Sequence, residues 1–246
     1  MFVSLVARTS LPRSRDEMLS QAREAMRHAV EVKPHTPPHY EVSFPPTRDL
    51  GAALSMLMDA NRDHARELVE PWARQWNRSV HLVFPDVSEA RLACQAYGSR
   101  APPCTITCLP VYERREMGAS APRLILVVQP GFNIEEWLQL EAPLLQYPQV
   151  PVVVLNGGMD RLRSNYYPPL FYPRLAAARK RYLEHFEPIY FLKPVPRGVL
   201  FRVYPEPWQT IALNDDPAGE LLSEDDERPS YTQVQERLAE FSLRSG

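Results

Sequence analysis

The sequence predicts an α/β fold: a three-layer sandwich with a mainly parallel central sheet, helices on both faces and an antiparallel extension near the C-terminus. Three observations carry this. Short apolar runs at 80–84, 124–128 and 152–155 read as strands, the last two as strands buried on both faces. Capping residues follow the first two directly, which sets up the strand–helix–strand units of parallel crossovers. After residue 186 the pattern becomes three strands (188–192, 199–204, 209–213) joined by turns alone, as antiparallel neighbours allow.

In chain order, Ser14 and Glu17 form a capping box, and Met18, Ala22, Ala25, Met26, Ala29 and Val30 mark one face of a helix that Pro34 ends. Residues 40–44 alternate like a strand and stop at Pro45-Pro46. Residues 50–78 read as a long helix or two, with Pro71 as a kink or break. Pro85 closes the strand at 80–84, and Asp86 with Glu89 caps a helix through about Ala96. Thr105–Val111 reads as a short strand. Gln129-Pro130-Gly131 turns the chain after 124–128, Asn133 and Glu136 cap the next helix, and Asn156-Gly157-Gly158 ends 152–155. Leu175, Ala178, Tyr182 and Phe186 line a further helix. Ser230 and Gln233 open the last one, with Val234, Leu238 and Phe241 inward. The organisation expected is a tail or targeting remnant over 1–13, one α/β domain over 14–213, an acidic linker over 214–229 and a C-terminal helix over 230–246 that packs on the domain.

Composition bounds the function. The chain has 246 residues, 44% hydrophobic and 24% charged, which suits a soluble globular protein rather than a disordered one. Nine Gly against 26 Pro leave little room for phosphate-cradling loops. A net charge of −2 gives no electrostatic footprint for nucleic acid. Cys94, Cys104 and Cys108 form neither a disulfide framework nor a metal-ligand spacing. No apolar run reaches the roughly 18 residues of a membrane span, so any membrane association is at most peripheral. Charge is nonetheless uneven: residues 214–229 hold seven acids and one Arg, whereas 160–204 hold nine Arg or Lys against three acids.

The motifs of phosphate loops, dinucleotide folds, zinc proteases, serine hydrolases and kinases are missing, and neither cofactor nor metal is expected. Ligands of open α/β sheets sit outside the carboxyl ends of the strands. There the sequence places Asp86, Gln129 and Asn156, with Arg161 beyond the glycine pair. Asp86 is a helix cap or a functional carboxylate. Gln129 and Asn156 bind a polar ligand or tie down backbone, and Arg161 with Arg163 holds an anion or none. A second set lies in Tyr166-Tyr-Pro-Pro-Leu-Phe-Tyr-Pro173, whose prolines exclude regular structure. Tyr166, Tyr167, Phe171 and Tyr172 either cover the sheet edge as core or form an interaction patch. Beside them Arg174 and Arg181, two helical turns apart, face away from Leu175 and Ala178 into solvent.

The blocks LPRSRDEMLSQAREAMRHAV (11–30), VSFPP (42–46), VFPDVSEARLA (83–93), LILVVQPGFNIEEW (124–137), VVVLNGG (152–158), RYLEHFEPIYFLKPV (181–195), FRVYPEPWQTI (201–211) and RPSYTQVQERL (228–238) occur in this order. Together they resemble a plastid and cyanobacterial family built on a domain of unknown function, number nineteen-ninety-five. For some members the resemblance implies an auxiliary role in photosystem assembly, chiefly of photosystem II. The implied partners are proteins of the thylakoid assembly machinery. The implied location is the chloroplast stroma or thylakoid surface, or the cytoplasm of a cyanobacterium. The family has no accepted catalytic motif, so the expectation is non-enzymatic binding of a membrane-protein or assembly partner. The alternative is a small-molecule or nucleotide-binding enzyme that uses the carboxyl ends of the parallel strands.

Overall fold

Side-chain caps fix four helix starts in the computed structural model, which describes residues 9–32, 34–45, 54–116, 121–164, 166–214 and 218–245. At α1 (Arg15–Arg27) the Ser14 hydroxyl accepts from the Glu17 amide at 3.1 Å, and the Glu17 carboxylate accepts from the Arg13 amide at 2.8 Å. β1 (His39–Ser43) is followed by α2 (Leu54–Trp76), which runs unbroken through Pro71. Asp86 links β2 (Val80–Phe84) to α3 (Val87–Tyr97) and caps the helix by accepting from the Glu89 amide at 2.9 Å. β3 (Thr105–Cys108) passes directly into α4 (Leu109–Glu113), so the strand expected over 105–111 stops early. Pro110 explains this: it has no N–H for a strand ladder and its fixed φ suits a first helical turn.

β4 (Leu124–Val128) leads to α5 (Ile134–Gln139) and α6 (Glu141–Gln146), then come β5 (Val152–Leu155), α7 (Asp160–Arg163) and α8 (Pro173–Arg181). The helix expected through Phe186 ends at Arg181 and tightens into a short turn at Leu183–His185. The remaining elements are β6 (Glu187–Val195), β7 (Gly198–Val203), β8 (Trp208–Ala212), β9 (Glu220–Asp225) and α9 (Tyr231–Ser245). The expected box opens α9, with the Ser230 amide donating to Gln233 Oε1 at 2.8 Å.

The chain divides into two units, Lys33–Pro188, and Met1–Val32 with Ile189–Gly246. The sequence pattern suggests one domain over 14–213, but α1 packs on β7 and so groups with the last strands. In the first unit five strands run in the order β3-β2-β4-β5-β1, every pairing parallel. β2, β4 and β5 are buried throughout, as strands covered on both faces must be. Alternation turns Val83, Ile125, Val127, Val152 and Val154 toward Trp137, Leu140, Leu175, Tyr182 and Phe186 on the α4–α8 side. α2 and α3 pack on the other face, against β2, β3 and β4. This unit is the expected three-layer sandwich.

The second unit pairs β6-β7-β8-β9 antiparallel. Its core gathers Phe191, Leu200, Trp208, Ala212, Val234 and Leu238. The Trp208 ring lies edge-on to Phe191 at 5.3 Å, with the Arg202 and Arg228 guanidiniums each 5.1 Å from its centroid. The stretch expected as an acidic linker is corrected here, because residues 220–225 form β9. Leu222 packs on the core, and Arg237 takes Asp225 through two bonds of 2.6 and 2.9 Å. That pair holds the Asp225 carboxyl below the usual range. Residues 215–217 lie outside the described part. The tail expected over 1–13 is docked where it is described: Leu11 is buried and the Thr9 hydroxyl donates to Glu206 at 2.6 Å. Residues 1–8 lie outside it. No helix among the described residues is long and apolar enough to cross a membrane.

Candidate functional site

β4 and β5 end in Gln129 and Asn156, both with left-handed backbone, at φ 46° and 50°. Few non-glycine residues adopt this conformation, and Asn and Gln side chains offset it with hydrogen bonds. Asn61 of α2 is the hub. The Asn156 amide donates to Asn61 Oδ1 at 2.6 Å, and the Asn61 amide donates to Gln129 Oε1. Asn156 Oδ1 in turn accepts from the Phe44 amide at 2.7 Å. The chain ties α2 to the ends of β1, β4 and β5. The structure therefore brings Gln129 and Asn156 together, and protein groups take both polar atoms of Asn156 and the Oε1 of Gln129. Asp86 is exposed and acts as the α3 cap.

Arg161 meets a different turn. Its Nη2 donates to Gly131 O at 2.6 Å, and its guanidinium lies 5.1 Å from the Trp137 ring centroid. Trp137 Nε1 donates to Gly157 O at 2.9 Å, which stitches the two strand-end turns together. Gly131 has φ 112°, and a Cβ there would stand 2.3 Å from Trp137 Nε1. The amides of Gly131 and Phe132 both donate at 2.8 Å to the buried Glu136 carboxylate. An anion is thus already supplied to this turn by the protein itself.

Arg163 also has an internal partner. Glu41 on β1 is 1% exposed, and Arg163 Nη1 reaches its Oε2 at 2.7 Å. The Ser43 hydroxyl donates to the other Glu41 oxygen at 3.0 Å, and Arg163 Nη2 donates to Phe186 O at 3.1 Å. Burial disfavours the charged form of both buried histidines. Burial lowers the pKa of His39, stacked on Phe186 at 5.2 Å, to about 4. His81, whose Nδ1 meets the Tyr112 hydroxyl, is lowered to about 4 by the same cause. Burial pushes the Cys104 thiol up to about 12, which suits a packed rather than a reactive group.

The aromatic segment is the opposite case. Tyr166 is 67% exposed, Leu170 84%, Phe171 73% and Tyr172 36%. Tyr167 alone turns inward and is the hinge of a ring ladder. It meets Trp137 at 5.5 Å, Tyr166 at 4.9 Å and Tyr172 at 5.1 Å, all edge-on. The Phe171 and Tyr172 amides donate to Pro168 O at 3.0 and 3.2 Å, which holds the loop in one shape. Between this loop and α8 lies a groove of 190 Å³, floored by Leu162, Tyr167, Pro169, Leu175 and Ala176. Arg174 and Arg181 are exposed as expected, but neither is free. Arg174 pairs with Glu135 at 3.1 Å and Arg181 with Glu141 at 2.8 Å.

Sequence reasoning missed Leu170, the most exposed of the patch, and Asn61 and Glu41. Leu170 had a signal, since it follows Pro168-Pro169 and belongs to no helical or strand period. Asn61 and Glu41 had none, because each partner lies far along the chain. The family described as Domain of unknown function (DUF1995) matches residues 12–236. No curated protein and no solved structure matches.

Proposed function

The chain belongs to the DUF1995 family, and on that premise we propose that it is a non-enzymatic auxiliary factor of photosystem assembly, photosystem II above all, which binds a membrane-protein or assembly partner at the chloroplast thylakoid surface or its cyanobacterial counterpart. The observation that carries this reading is the outward Tyr166, Leu170 and Phe171 on a loop that prolines and Tyr167 hold in place. Large apolar groups on a preformed loop are what an interface uses for anchors, because little ordering remains to be done on binding. The engagement of Gln129 and Asn156 with Asn61, and of Glu136 with the Gly131 turn, speaks for binding over catalysis at the strand ends. The test is affinity capture from plastid or cyanobacterial extract with wild type and Phe171→Asp, followed by identification of the captured subunits. Photosystem subunits or their assembly proteins are expected with wild type and lost with the variant. Capture confined to unrelated soluble proteins would overturn the reading.

A further inference from the structure

Resting on that reading, we infer that the partner's contacting segment is an acidic peptide with a large apolar side chain, which seats that side chain in the groove between the aromatic loop and α8 and its carboxylate on Lys180. α8 carries four cations and no acid. Three have a carboxylate on their own chain: Arg174 with Glu135, Arg179 with Glu184, and Arg181 with Glu141. Lys180 has none among the described residues, and it lines the groove. The groove's one acid, Glu184, is held by Arg179 at 2.6 Å. Its floor is apolar and its volume of 190 Å³ suits one side chain of Leu or Phe size. The ligand that completes this arrangement is apolar at its centre and negative beside it. A basic segment would face Lys180 and find only Glu184, already held by Arg179, to pair with.

The test uses the full chain and a fluorescein-labelled peptide of glutamates around one phenylalanine, read by polarisation. Two control peptides replace the glutamates by lysine or the phenylalanine by serine, and phosphatidylglycerol vesicles form a fourth arm. The acidic phenylalanine peptide is expected to bind, the controls not. Lys180→Glu should weaken binding about tenfold, and so should Ala176→Trp, which fills the groove. Salt near 1 M should weaken it as well, since screening then acts within about 3 Å. Equal binding of acidic and basic peptides, affinity untouched by Lys180→Glu, or sedimentation with vesicles while no peptide binds would each overturn the inference. If Ala176→Trp fails to fold, Lys180→Glu decides alone. Partner capture that survives Lys180→Glu but is lost with Phe171→Asp would sink this inference and leave the proposed function standing.

Discussion

A carboxylate buried in mid-strand persists only because a cation reaches it. Glu41 is 1% exposed and its partner Arg163 stands 122 residues on. Arg163→Ala should therefore lower stability by about 3–5 kcal/mol in denaturant melts, because it leaves the charge unpaired, whereas Glu41→Gln should cost less. Two histidines make a pH dependence. Unfolded, each titrates near 6.5; folded, His39 and His81 titrate at about 4 because burial disfavours the charged ring. Between those values the unfolded chain binds more protons, so stability is whole above about 6.5 and falls as pH drops toward 4, by at most about 3 kcal/mol per histidine. Across that range wild type should lose up to about 3 kcal/mol more than His39→Phe as pH falls, which denaturation midpoints of the two would show. Residues with local partners were legible in the sequence: Ser14, Asp86, Asn133 and Ser230 cap as their spacing implies. Glu41 was not, since no local pattern announces a partner 122 residues away.

Elements repeat that contrast. The strands at 80–84, 124–128 and 152–155 were legible because a continuous apolar run bounded by turns has few other uses. β9 was hidden because its acids read as a self-repelling linker, while the ladder to β8 and the Asp225–Arg237 pair that hold it lie with residues outside the stretch itself. Arg237→Ala should loosen β9 and make 218–227 the first site of limited proteolysis, where wild type resists. Trp208 sits 2% exposed at the start of β8, and Trp208→Ala should cost about 3–5 kcal/mol in the denaturation midpoint. In the turn after β4, Gly131→Ala would drive a Cβ against Trp137 from a φ of 112°. It should lower the thermal midpoint and disturb the Trp137–Tyr167 contact beneath the aromatic loop, which Trp fluorescence would report.

For the whole molecule, the succession of strand and capped helix made the fold class legible, since short βα connections leave few alternatives. The grouping of α1 with the last strands was not, because it rests on packing between opposite ends of the chain. The candidate surface was half legible. A Pro and aromatic run fits core and interface equally well, and only the fold reveals that Tyr167 turns inward while Leu170 and Phe171 turn outward. The proposed partner binding depends on that outward pair. The most direct test is the double variant Leu170→Asp, Phe171→Asp, measured for both thermal midpoint and partner capture from native extract. A midpoint within about 2–4 °C of wild type is expected, as for exposed positions, together with loss of the captured partner. A variant that captures at wild-type yield, or one that unfolds because these side chains are core, would contradict the proposed binding.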